Sequence, residues 1–214
     1  MIKKLLLALL VIVIILFAVI GGLAVVASQK PAEFQVSRST VISAPAPVVF
    51  DQVNNLKKWH DWSPWAKRDP NMKLTYSGPE SGTGAAYAWV GNSEVGEGKM
   101  TITDSRPNEK VDFKLEFFKP FAATNAADFK FAPEGDKTKV TWSMNGKHNF
   151  VGKAICMFMD MDKMVGGDFE QGLATMKANA EKEAAPPAVP APAPSTPAPA
   201  PAPAPATPPA APNS

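Results

Sequence analysis

Val111-Asp112-Phe113-Lys114-Leu115-Glu116-Phe117 alternates without a break, apolar at each odd position and charged at each even one. Successive side chains of a strand point to opposite faces, so this stretch predicts a strand with one wet face and one face that needs an apolar cover. The cover lies downstream, where Val165, Phe169, Leu173, Met176 and Ala180 recur at helical spacing, with Asp168, Lys177 and Glu181 elsewhere around the helix. A long C-terminal helix packed across an antiparallel sheet is the expected core of an α+β fold.

Outward from that strand the same alternation recurs at Leu74 and Tyr76, Tyr87 and Trp89, Met100 and Ile102, Phe129 and Phe131, and Val140, Trp142 and Met144. The breaks are Gly78-Pro79, Gly91-Asn92, Arg106-Pro107-Asn108, Lys119-Pro120 and Pro133-Glu134-Gly135-Asp136. Turn chemistry at such short intervals joins neighbouring antiparallel strands into a meander. Upstream, Phe34 to Ile42 reads as a first strand. Ser43-Ala44-Pro45 then opens an amphipathic helix through Val48, Val49, Val53 and Leu56. Near the C-terminal helix, Met157, Met159, Met161 and Met164 precede Gly166-Gly167, which is expected to break or bend the join and leave a flexible entrance.

The two ends of the 214-residue chain read differently. Residues 5–27 carry no charge and as a helix span roughly 34 Å, enough for a hydrocarbon core about 30 Å thick. Lys3 and Lys4 precede them, which by the positive-inside rule holds a stub of residues 1–4 in the cytoplasm and sends the chain from Ser28 onward to the outer, periplasmic or extracellular side. The expectation is a single-pass protein of the cytoplasmic membrane; the alternative is a signal peptide cleaved after Val25 and Ala27. Residues 184–214 hold 13 of the 22 prolines and no charged residue, and are expected to form a disordered, extended spacer reaching about 95 Å, or a ligand for an envelope partner. One domain, residues 33–183, remains between them.

Charge excludes several function classes. Removing Lys3 and Lys4 leaves 20 basic and 20 acidic residues, so no electrostatic footprint for a nucleic acid exists. Cys156 is the only cysteine and excludes an internal disulfide; it reads as a small buried apolar residue. His60 and His148 have no metal-ligand spacing with each other or with Cys156, so neither a metal nor another cofactor is expected. Asp61 adjoins His60, but neighbours in a chain point apart, and no catalytic set emerges. Glu94, Glu97 and Asp104 sit in or near glycine-rich turns, where charges are ordinarily solvated.

Several pieces in this order carry a resemblance: Ile42-Ser43-Ala44-Pro45 with Val49-Phe50-Asp51; Trp59-His60-Asp61-Trp62-Ser63-Pro64-Trp65; Gly82-Thr83-Gly84 with Trp89; Gly96-Glu97-Gly98-Lys99-Met100; Lys119-Pro120-Phe121; and Phe169 to Lys177. From Phe34 to about Glu183 the chain resembles the START-like (SRPBCC) superfamily, in its polyketide cyclase/dehydrase and lipid-transport branch. The resemblance implies a helix-grip fold, a curved antiparallel sheet around a long C-terminal helix, with an apolar cavity between them for a lipid, polyketide or other hydrophobic small molecule. It does not imply catalysis.

The expected cavity wall is Tyr87, Trp89, Phe113, Phe117, Phe129 and Trp142 from the strands, with Phe169, Leu173 and Met176 from the helix. Simple core packing is the competing reading of the same residues. Trp59, Trp62 and Trp65 are expected at the cavity entrance, either as a lid or as a plug closing one end of the sheet. Three functions remain open: membrane-anchored binding of a hydrophobic molecule, a cyclase, dehydratase or hydrolase using the same cavity, and an interaction module of the cell envelope.

Overall fold

The structure is a computed structural model that describes residues 2–29, 33–147 and 160–185. His148, Cys156, Met157, Met159 and the proline-rich stretch from residue 186 lie outside the described residues. The elements in chain order are helix α1 (Ile2–Gln29), strand β1 (Glu33–Ile42), helix α2 (Ala46–Asn54), a 3-10 turn (Leu56–Lys58), and the short helices α3 (Trp59–Trp62) and α4 (Pro64–Arg68). Strands β2 (Lys73–Ser77), β3 (Ala86–Val90), β4 (Glu97–Arg106), β5 (Lys110–Lys119), β6 (Ala123–Glu134) and β7 (Lys137–Lys147) follow, and helix α5 (Met161–Ala184) ends the described chain.

The strands form one seven-stranded antiparallel sheet in the order β1-β7-β6-β5-β4-β3-β2. Strands β2 to β7 are the predicted meander, and β1 closes the far edge by pairing Glu33 with Lys147 and Ile42 with Thr138. On β5, Val111 and Phe113 are buried while Lys114 is exposed, as their alternation requires. Helix α5 lies across the buried face. Its stripe of Val165, Phe169, Leu173, Met176 and Ala180 is buried, and covering each large apolar side chain in this way stabilises the fold by about 1.5–3 kcal/mol.

Helix α5 runs parallel to β1 and is tied to it at both ends. Arg38 donates to the Asp162 carboxylate at 2.9 Å and to Glu170 at 2.7 Å, while Lys177 Nζ donates to the Val41 carbonyl at 2.6 Å and the Ser43 N–H donates to Glu181 at 2.7 Å. The expected break at Gly166-Gly167 does not occur, because α5 is continuous through both glycines. A Cβ at Gly166 would collide with the Arg38 guanidinium, so this glycine opens a slot in which Arg38 crosses the helix.

Helix α1 is 28 residues long, and among its described side chains Leu9, Ile12, Ile14, Leu16 and Phe17 are exposed. Several of its side chains lie outside the described set, and over the described residues alone no helix is long and apolar enough to cross a membrane. The transmembrane reading of residues 5–27 therefore rests on the amino-acid sequence.

Candidate functional site

Between α5 and the curved sheet lies a cavity of about 350 Å³. The wall on the sheet side is aromatic and aliphatic: Tyr87 and Trp89 from β3, Met100 from β4, Leu115 and Phe117 from β5, and Trp142 and Met144 from β7. Phe34 of β1 closes one side, and Met164, Val165, Asp168 and Phe169 of α5 lie over the top. Met164 and Glu94 are solvent-exposed, so the cavity opens where the first turns of α5 meet the loop between β3 and β4.

Trp142 divides the interior. Its ring stacks on Phe169 at 3.9 Å between centroids and on Phe129 at 4.8 Å, and an added Cβ at Gly172 would stand only 2.9 Å from its edge. Beyond it, Trp59 meets Trp62 at 4.5 Å and makes T-shaped contacts with Phe113 and Phe129. Both indoles are satisfied there, since Trp59 donates to the Val53 carbonyl and Trp62 to that of Gln52, at 2.8 and 2.9 Å. A buried indole with a backbone acceptor is a fixed part of the core.

Of the residues expected on the cavity wall, Tyr87, Trp89, Phe117, Trp142 and Phe169 line it. Phe113, Phe129, Leu173 and Met176 lie outside the lining, each almost wholly buried in the packed half behind Trp142. The physical reason is α3: Trp59 and Trp62 fill the space that Leu173 and Met176 would otherwise face. The three entrance tryptophans therefore separate. Trp62 is a plug, Trp59 is both plug and cavity wall, and Trp65 stands at the cavity and packs edge-on against Trp142 at 5.9 Å.

Two glycines and one carboxylate shape the mouth. A Cβ at Gly98 would strike the Trp89 ring, so the bare backbone of β4 is what lets that indole lie flat across the sheet, with Nε1 donating to the Val95 carbonyl at 3.3 Å. Gly96, at φ +70°, brings the loop against the Lys119 carbonyl with no room for a side chain. Asp69, at the end of α4, accepts from the Asn92 N–H at 2.7 Å, and Asn92 donates back to the Arg68 carbonyl at 3.2 Å. The loop carrying Glu94 and Val95 is thus fastened to α4.

One polar feature faces the apolar wall: Arg68 of α4 donates to Asp168 of α5, and both residues line the cavity. Asp168 is buried, although its expected place was elsewhere around the helix from the apolar stripe. The signal was its spacing of three from Val165, which puts it on the buried stripe, where a carboxylate requires a cationic partner. Tyr87 adds a phenol whose ionisation burial opposes, holding it protonated well above the ordinary range. Ser63 and Asn125 also line the cavity. Of the turn carboxylates considered from sequence, Glu94 reaches the cavity, while Glu97 pairs with Lys119 and Asp104 with Arg106. His60 is exposed and lies outside the lining, and among the described residues no group of His, Cys, Asp and Glu is arranged to hold a metal.

Comparison with known families matches residues 33–181 to the family described as polyketide cyclase/dehydrase and lipid transport. Among solved structures, protein CV1439 from Chromobacterium violaceum is similar at a TM-score of 0.51 and 13% identity, over 71% of this chain and 99% of that one. The di-domain ARO/CYC BexL from the BE-7585A biosynthetic pathway is similar at 0.52 and 15%, over 75% of this chain and 53% of that one. The Aha1 dimer from Colwellia psychrerythraea is similar at 0.50 and 14%, over 69% and 96%. Likeness at these identities establishes a common fold. No curated relative matches the sequence.

Proposed function

We propose a function from one premise, that the chain belongs to the polyketide cyclase/dehydrase and lipid transport family: it holds a hydrophobic small molecule or lipid in the cavity between sheet and α5, anchored to the cytoplasmic membrane by residues 5–27. The observation that carries the reading is the cavity itself, about 350 Å³ with predominantly apolar walls. Left empty, such a volume costs up to about 8 kcal/mol at roughly 24 cal/mol per Å³, comparable to the whole stability of a domain. The opening at the mouth lowers that figure, but water finds few partners among these rings. An apolar occupant removes the cost.

The Arg68–Asp168 pair favours an amphiphile over a plain hydrocarbon, because one end of the occupant then meets hydrogen-bonding groups while the rest meets rings. For the anchor, the support is the uncharged apolar run of residues 5–27 within α1, which fits hydrocarbon surroundings, with Lys3 and Lys4 before it as the positive-inside rule requires of a cytoplasmic end. A phosphatase fused after residue 185 is accordingly active outside the cell, and an inactive fusion overturns that orientation.

Native mass spectrometry of the full chain released from membranes, before and after organic extraction, tests the binding reading. We expect a bound mass that extraction removes and that an added fatty acid or phospholipid restores. No bound mass, together with no binding across a lipid and hydrophobic-dye panel, overturns it.

A further inference from the structure

The strand register places one end of the sheet next to the point where the chain leaves α1. Only three residues lie between the end of α1 at Gln29 and the start of β1 at Glu33, a gap that extended chain spans in at most about 14 Å. The row Phe34, Gly146, Asn125 runs across β1, β7 and β6 at this end, and Phe117 pairs with Ala123 two residues further out. The β5–β6 hairpin therefore passes the level of Glu33 by one residue at Ala123, about 3 Å, and by more at its tip. On that tip Phe118 and Phe121 are 55% and 62% exposed, while Phe117 beside them lines the cavity. Met164, exposed at the mouth, lines the same cavity as Phe34 at this end.

We propose that the tip of the β5–β6 hairpin, through Phe118 and Phe121, inserts into the surface of the membrane in which α1 is anchored, so that the cavity opens against the lipid from which it loads. The inference rests on the anchor reading above. Two exposed phenylalanines on a projecting turn have no reason to face water, and a bilayer interface accepts apolar side chains to a depth of about 5–10 Å. The occupant is lipid because the connection is too short to carry this end far from the membrane. The contact is apolar, not electrostatic: Lys119, Lys147 and Lys163 at this end are paired with Glu97, Glu33 and Asp160. Anionic lipid is therefore not required.

The test uses the full chain with its only cysteine replaced, Cys156→Ser, and an environment-sensitive dye placed by Phe121→Cys or, at the opposite end of the sheet, by Asp136→Cys. Each is reconstituted in vesicles of phosphatidylethanolamine with or without brominated phosphatidylcholine and floated on a density gradient. The expected result is flotation of both, with emission at position 121 falling by about half in brominated vesicles, as insertion to bromine depth requires, and no change at 136. Flotation with no quenching at 121 overturns the hairpin contact and leaves the anchor standing. Equal quenching at 136 overturns it too, because the domain then has no preferred end. If the washed chain does not float, the anchor reading falls and this inference with it.

Discussion

On one side of Trp142 the interior is filled by Trp62, Phe113, Phe129, Leu173 and Met176; on the other, the same sheet carries Tyr87, Trp89, Leu115 and Phe117 around about 350 Å³ of space. Both halves are aromatic and both are covered by α5, so neither composition nor the helix explains the difference. What differs is the second cover. Helices α2 and α3 drive two tryptophans into the packed half, each pinned by a backbone acceptor. Among the described residues, the open half receives the edge of α4, Trp59 and Ser63 beside it, a loop fastened through Asp69, and the first turns of α5. Whether a ring is core or cavity wall is decided by what stands opposite it.

The hardest blow to this contrast is Trp62→Ala. It removes the largest fully buried side chain and leaves the Gln52 carbonyl without its donor, and a truncation of that size costs about 3–5 kcal/mol. Urea unfolding should show this as a lowered midpoint at an unchanged slope. A loss below about 1 kcal/mol would mean that the half behind Trp142 is not packed, and the division drawn here would fail.

Leu115→Trp probes the other half. Leu115 lines the cavity and is only half-buried, so the added ring has open space to enter. Stability should change by less than about 1 kcal/mol, where the same enlargement in dense core costs about 1–3. Affinity for a lipid or hydrophobic dye should fall at least about tenfold, a difference of 1.4 kcal/mol. Unchanged affinity with a large loss of stability would merge the two halves into one core.

The contrast also marks where the sequence was legible. Alternation in Val111–Phe117 and the stripe from Val165 to Ala180 give the strands, the meander and the covering helix, because each depends on a local period. The cavity wall was half legible for the same reason. Period reveals which face of β5 or α5 points inward, but Phe113 and Phe117 share one face, and only the distant placement of Trp59 makes the first core and leaves the second at the void. Asp168 and Arg68 are 100 residues apart and meet only in three dimensions. Gly166 looked like a hinge because a glycine pair is locally permissive. Its role as a slot for Arg38 is a tertiary fact.

The finest test sets the two ends of α5 against each other, since one end borders the open half and the other the packed half. Asp162 is held below the usual carboxylate range by hydrogen bonds from Arg38, and Glu181 by hydrogen bonds from Lys177 and the Ser43 N–H. A carboxyl whose folded value lies below its unfolded one contributes its full stabilisation above the ordinary value of about 4 and loses it as pH falls through the lowered folded value. Both groups are exposed, so the effect is smaller than either change above. Urea midpoints should stay level from neutral pH to about pH 5 and decline below about pH 4. Asp162→Asn and Glu181→Gln should each lower the neutral midpoint and flatten that decline. Ligand release separates them: loosening the first turn of α5, beside Met164 and Asp168, should speed release from the cavity in Asp162→Asn, whereas Glu181→Gln should leave it unchanged. Equal release from both variants would show that α5 moves as one rigid cover, and that the open half has no gate of its own.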